Sequence, residues 1–159
     1  MFYRNESGHG LPHDPLTAIV SPRPIGWISS RSIDGDINLA PYSYFNLISM
    51  NPCLLMFSSQ GYKDSVAFIE ETGEFAVNLV SAHLSTAMNA TSVSAPRGTS
   101  EFDYAGLTPS TCMMIDAPRV AEAYASAATR TLLAQHQFDT SAATSSAHVQ
   151  IVAQENLRT

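Results

Sequence analysis

The chain has one lysine, Lys63, in 159 residues, and few charges of any kind: 14% of its residues are Asp, Glu, Lys or Arg. Eight bases stand against 14 acids, a formal net charge of −6. No general attraction to nucleic acid or to an anionic membrane is therefore expected. Cysteine is equally scarce. Cys53 and Cys112 lie far apart with no CxxC pair, the usage of buried thiols in a reducing compartment rather than of a disulfide framework. The start, MFYRNESGHG, lacks the basic residues and apolar stretch of a signal peptide, and the run Cys53 to Phe57 is too short to span a bilayer. These absences place the protein in the cytoplasm. No GxSxG, GxGxxG or GxxxxGK[ST] occurs, so hydrolase, dinucleotide-fold and NTPase readings have no support. His9 and His13 are spaced as HxxxH, but Gly10 and Pro12 interrupt the helix that would aim both at one ion, and no metal site is expected.

Apolar residues are plentiful, at 45%. A chain of this length buries roughly 70% of its unfolded surface as one domain, and this composition suggests that some surface is covered by a subunit or ligand. Residues 1–15 read as an N-terminal arm and 16–159 as the domain, atypical or shortened from about residue 142. Ile25 to Ser32 alternates as a strand, with serines on both faces that make it a poor core strand. Asp34-Gly35 suits a tight turn, and Ile37 to Phe45 reads as one returning strand. Pro41 gives no ladder N–H, so that strand is expected at an edge, bulged, or turned toward a ligand. Cys53 to Ser59 reads as a fully buried strand. A helix follows from about Ser65 to Thr72, capped by Asp64 and stopped by Gly73. Glu74 to Val80 reads as a strand, Ala82 to Ala90 as a helix, residues 92–110 as a long ordered loop, and Ala117 to Phe138 as two weaker strands.

Lys63-Asp64-Ser65 is the sharpest local feature. The first turn of a helix offers free N–H groups and partial positive charge, so lysine, hydroxyl and backbone together would cradle a phosphate. A solvated loop lysine is the plain alternative. Ser58 and Ser59 end a strand just before that helix, and Ser29 and Ser30 lie in the first hairpin; each is also ordinary strand polarity. Asn38, Ala40, Pro41, Tyr42 and Ser43 combine small residues with a kink, letting backbone amides reach the edge of a flat heterocycle, with Trp27 and Tyr42 as apolar cover. Core packing is the commoner fate of either aromatic.

The ordered set PRPIGWIS at 22–29, NLAPYSYFN at 38–46, KDS at 63–65, TGEFAVNLV at 72–80, MNAT at 88–91, SEFDYAGLTP at 100–109 and APRVAEA at 117–123 resembles the flavin reductase-like family with an FMN-binding split barrel. The resemblance covers about residues 16–124. It implies a mainly β fold, a Greek-key split β-barrel with a few short helices, a homodimer, and FMN near the subunit interface. It further implies hydride transfer from NADH or NADPH to flavin, with reduced flavin passed to a partner monooxygenase or other acceptor. By motif, Ser29, Ser30 and residues 40–43 would contact the flavin, Ser58, Ser59, Lys63, Asp64 and Ser65 would build the phosphate end, and the loop from Ser94 to Gly106 would cover the site. Two departures stand out. Tyr62 occupies a position that is basic in many members, and Ala142 to Thr159 shows no clear match, as if the barrel closed differently. The flavin would carry the chemistry, with no catalytic side chain. The rivals are a non-enzymatic FMN electron carrier and a shortened member without flavin.

Overall fold

The computed structural model of the chain describes residues 8–131 throughout and, beyond them, the strand pairing of residues 136–137 and 147–153. Residues 1–7 of the expected arm lie outside the described residues. Regular structure begins with helix α1, Pro15–Ile19, where the Asp14 carboxylate accepts from the Leu16 N–H at 2.8 Å and proline fills the first helical position.

Two hairpins follow. Strand β1 (Gly26–Arg31) pairs antiparallel with β2 (Ile37–Tyr42), and β3 (Phe45–Met50) with β4 (Cys53–Gln60). The expected single strand from Ile37 to Phe45 is thus two, separated at Ser43 and Tyr44. Gly35, with φ +98°, turns the first hairpin as its position after Asp34 predicts. Helix α2 (Asp64–Thr72) then leads into β5 (Glu74–Asn78), and Gly73 ends the helix in the left-handed conformation. Lys63, not Asp64, occupies the N-cap position, and no side chain caps that end. The expected helix from Ala82 divides into a 3₁₀ turn, Ala82–Leu84, and α3, Ser85–Ala90. The long loop contains a short helix, α4 (Glu101–Ala105). Strands β6 (Pro109–Ser110) and β7 (Arg119–Val120) form a small separate ladder, and β8 (Ser126–Thr131), β9 (His136–Gln137) and β10 (Ala147–Ala153) complete the described strands.

The main sheet runs β2-β1-β5-β8-β10-β4-β3, with β9 beside β10. Its ends, β2 and β3, are joined by only two residues, so the sheet curls back on itself with no ladder where they meet. The Ser58 N–H donates to the Tyr44 carbonyl at 2.8 Å, carrying the β3–β4 pairing one residue past Phe45 toward that seam. The result is a mainly β split barrel. Closure depends on β10, which lies between β8 and β4 and pairs with β4 from Ala147 to Ala153. The C-terminal segment that matched nothing in the sequence therefore supplies the strand joining the two halves of the sheet.

Inside the barrel, Ile28, Tyr42, Phe57, Ile69 and Phe75 form one cluster, with the Phe57 ring 4.8 Å from Tyr42 and 5.4 Å from Phe75. On the other face of β1 and β2, Trp27 and Leu39 pack with Leu84, Phe102, Leu107 and Val120. Strand β1 lies between these clusters, which is why Ser29 and Ser30 are fully buried, against the expectation of a poor core strand. Strand β4, expected to be wholly buried, is mostly half-buried. Gly26 admits Phe45 at the seam: a Cβ there would lie 2.5 Å from the ring.

Candidate functional site

A cavity of about 420 Å³ opens between β2, the start of α2, residues 91–95 and Glu101 of α4. Strand β2 ends the hydrogen-bonded order, so one of its edges is free to form a wall. Along an antiparallel strand, successive residues direct their backbone groups alternately toward and away from the partner. The Leu39 N–H points away from β1, since it donates to Glu101 Oε2 at 3.1 Å. Pro41, two residues on, faces the same way, and its missing N–H costs the ladder nothing. The edge therefore offers carbonyls: one amide is taken by Glu101 and the next does not exist. Of the stretch expected to bring backbone amides to a heterocycle, Asn38 to Ser43, the outward Leu39 N–H is thus engaged and Pro41 has none.

Glu101 is buried and its carboxylate also accepts from Asn38 Nδ2 at 3.1 Å. Asn38 Oδ1 in turn accepts from the Ser65 hydroxyl. Desolvation raises the Glu101 carboxyl above the ordinary carboxylate value, and the Leu39 N–H is the foremost influence opposing it; Asp64 adds to the rise.

The α2 end of the cavity brings in Lys63, Asp64 and Ser65, with Tyr62 beside them. The Lys63 ammonium lies 5.9 Å from the centroid of the Tyr42 ring. Tyr42 is buried; its hydroxyl sits near those of Ser65 and Ser59 without a hydrogen bond of regular geometry, and burial above all pushes the phenol upward. Tyr62 donates its hydroxyl to Glu70 at 2.8 Å. Lys63 is the one cationic side chain of the lining, facing the carboxylates of Asp64 and Glu101.

Of the residues singled out from sequence, Asn38, Ala40, Pro41, Tyr42, Lys63, Asp64 and Ser65 meet in this cavity. The loop expected to cover the site, Ser94 to Gly106, contributes Ser94, Ala95 and Glu101 to the lining, and the remaining candidates lie off it. Trp27 is wholly buried and donates from Nε1 to Thr91 Oγ1 at 2.9 Å, so it packs the core and leaves Thr91 to face the cavity. Ser29 accepts from Asn78 Nδ2 at 3.0 Å and donates to the Pro118 carbonyl. Ser30 is buried beneath the sheet with no partner for its hydroxyl among the described residues. Ser59 donates to the Gly61 carbonyl at 3.0 Å, while Ser43 and Ser58 are half-buried outside the lining. Of the hydroxyls expected from sequence, those of Ser29 and Ser59 are thus committed within the protein.

Residues 20–155 match the flavin reductase like domain. The chain belongs to that family. The match runs past Ala142 to residue 155 and takes in β10. Among curated proteins, this family member is 42% identical over 113 residues to an uncharacterized protein of Aquifex aeolicus, covering 68% of this chain and 58% of that one. The chain thus spans a little over half the length of that relative. Its fold superposes on nitrilotriacetate monooxygenase component B from Bacillus cereus with a TM-score of 0.85 at 28% identity, covering 98% of this chain and 80% of that one. It also superposes on 2-nitrobenzoate 2-nitroreductase of Pseudomonas fluorescens, with a TM-score of 0.79 at 25% identity, covering 89% and 67%.

Within the flavin reductase-like chain, the cavity residues that the sequence reading did not assign to the site are Thr91, Ser92 and Val93; Tyr62 was noted beside Lys63, and Glu101 lies in the loop expected to cover the site without being singled out. Glu101 had one available signal: it follows Ser100 at the start of an EFDYAG helix, yet nothing in the sequence tells that its side chain turns inward rather than to solvent.

Proposed function

We propose that this chain binds FMN in the cavity between β2 and α2 and catalyses hydride transfer from NADH or NADPH to flavin. The observation that carries the reading is the convergence at one cavity of the free β2 edge and the uncapped, lysine-bearing start of α2, in a chain of this family. The group fits the residues present. Lys63 and the first-turn N–H groups of α2 would hold the phosphate, since the helix start has no side-chain cap to compete. Tyr42, Pro41 and Val93 supply apolar cover, and the outward carbonyls of β2 suit the N–H edge of a heterocycle better than its acceptor edge. Ser43, Ser58 and Ser59 would support the wall from behind. Bound FMN would supply the redox chemistry, passing reducing equivalents that no protein side chain can carry. The protein's tasks are to hold the ring, shield it from water and leave one face open to a nicotinamide.

The proposal extends to a single domain from residue 16 onward, a homodimer and a cytoplasmic setting. Support for the dimer comes from β3, which exposes Leu47, Ile48 and Met50 at the end of the sheet. A monooxygenase as recipient of reduced flavin is supported by the likeness to a protein that is itself a monooxygenase component. The test is an anaerobic mix of FMN-loaded protein with NADH and then NADPH, following the visible flavin band. Rapid bleaching with either is expected and names the donor. Bound flavin that neither nicotinamide bleaches would replace this reading with that of an electron carrier.

A further inference from the structure

Glu101, Asn38 and Ser65 form one directed hydrogen-bond chain along the cavity wall. An ionised carboxylate only accepts, so Asn38 must turn its Nδ2 toward Glu101 and its Oδ1 toward Ser65. The Ser65 proton is thereby spent on Asn38, and the hydroxyl at the first turn of α2 presents lone pairs, not a donor, to the cavity. An anion docked there would meet an acceptor where it needs a donor.

We propose that Glu101 is a positioning residue that makes anion binding at the start of α2 proton-linked. One proton taken from solvent onto Glu101 lets the carboxylic acid donate to Asn38 Oδ1. Asn38 then turns its amide over and donates from Nδ2 to Ser65 Oγ, and the Ser65 proton is released toward the anion. Every bond of the chain reverses, one proton enters, and one donor is gained at the cavity. Since Oε2 now serves both Asn38 and the Leu39 N–H, the protonated carboxyl turns to give its hydroxyl to Asn38 and its carbonyl oxygen to Leu39. The groups around Glu101 favour this uptake. Asp64 from α2 raises its pKa and Tyr42 from β2 adds no cation, while the lining contributed by residues 91–95 carries no titratable side chain; among the described lining residues the one cation is Lys63. Burial holds this carboxyl above the ordinary carboxylate value, and affinity rises as pH falls through its titration.

This inference rests on the FMN reading and deepens it. The experiment is an equilibrium titration of FMN into the full chain between pH 5 and 8, repeated with Glu101→Gln and Ser65→Ala. FMN's own phosphate ionisation is common to all three proteins and cancels in the comparison. Asn38 Nδ2 and the Leu39 N–H share Oε2 of the carboxylate, so glutamine mimics the reversed chain by turning its amide, Nε2 donating to Asn38 Oδ1 and Oε1 accepting from Leu39, and in either pose it takes up no proton. Glu101→Gln is therefore expected to bind FMN about tenfold more tightly than the wild type at pH 8, as one added hydrogen bond to a charged group would give, with the gap narrowing as the pH falls. Ser65→Ala should lack the extra pH dependence of the wild type. Riboflavin, without the phosphate, should show no difference between wild type and Glu101→Gln. Identical pH profiles for wild type and Glu101→Gln, with FMN bound, would overturn the linkage while leaving the flavin reading intact. Failure of the wild type to bind FMN at any pH would overturn both.

Discussion

Two polar regions of this barrel use the same residue types to opposite ends. Around Asn78, where β1, β5, β7 and β8 converge, every polar atom of the side chain is spent inside the protein. Its Nδ2 donates to the Trp27 carbonyl at 3.1 Å and to Ser29 Oγ at 3.0 Å, while its Oδ1 accepts from the Val120 N–H at 2.9 Å and from Ser126 at 2.8 Å. At the cavity, Asn38 belongs to a chain that ends on open space, beside a lysine and a helix start with no side-chain cap. The difference is position in the sheet. Asn78 sits on a strand with neighbours on both sides and Asn38 on one with a free edge. Satisfied polar groups there specify the fold; polar groups left facing a cavity await a ligand.

The sharpest way to break this comparison is to remove the closed hub. Asn78→Ala strands two buried backbone groups, the Trp27 carbonyl and the Val120 N–H, and takes its acceptor from the Ser126 hydroxyl, each costing on the order of 1 kcal/mol or more, so a loss of about 3 kcal/mol is expected. Denaturant unfolding measures it directly. A loss under about 1 kcal/mol would show that water enters and replaces the amide, and that the hub is not the closed network it looks like.

The same contrast explains what could be read from the sequence. Elements set by local chemistry were legible: the Asp34-Gly35 turn, the helix stopped by Gly73, and an edge position for the strand holding Pro41. The cavity's β2 and α2 walls were legible as well, because Pro41 and Lys63 carry their reasons in their own geometry and charge. What escaped depends on distant partners. Ser29 and Ser30 looked too polar for a core strand because alternation cannot reveal that both faces of β1 are covered. Trp27 looked free to cover a ligand because its indole partner, Thr91, lies 64 residues away. Glu101 was invisible for the same reason, meeting Leu39 across 62 residues. Strand β10 escaped because its Ala-, Ser- and Thr-rich approach hides a segment whose role is set by β4, far earlier in the chain.

A change on the open side should act the other way round, on binding and not on folding. Lys63→Ala removes the one cation of the cavity lining from a position next to Asp64, where no side-chain cap depends on it. FMN affinity is expected to fall roughly tenfold or more, about 1.4 kcal/mol, with the unfolding midpoint nearly unchanged. Equal FMN affinity in a fluorescence titration would remove the phosphate from the start of α2. Riboflavin is the control that sharpens the result, since it should bind both proteins alike.

The smallest effect belongs to the segment that joins the two regions. Residues 92–95 wall the cavity, and Arg97 just beyond them donates to Glu71 of α2 at 3.1 Å while its guanidinium lies 5.4 Å from the centroid of the Phe68 ring. Glu71 also accepts from the Ile33 N–H at 3.2 Å, so one carboxylate ties the wall segment and the first hairpin to the helix. The Arg97–Glu71 pair is exposed, and such pairs contribute roughly 0.2–1 kcal/mol and are screened by salt. Arg97→Ala should therefore change stability by about 0.5 kcal/mol. Its larger trace should be kinetic: with the wall less firmly held, FMN is expected to leave about two to three times faster, a change within that same energy. Stopped-flow dissociation checks this, and 1 M salt should bring the wild type part of the way to the variant. A rate that is unchanged in the variant would mean that the wall is held by Pro96 and its own backbone turn, where the Thr99 N–H donates to the Pro96 carbonyl at 3.0 Å, and that the ion pair on its surface merely accompanies it.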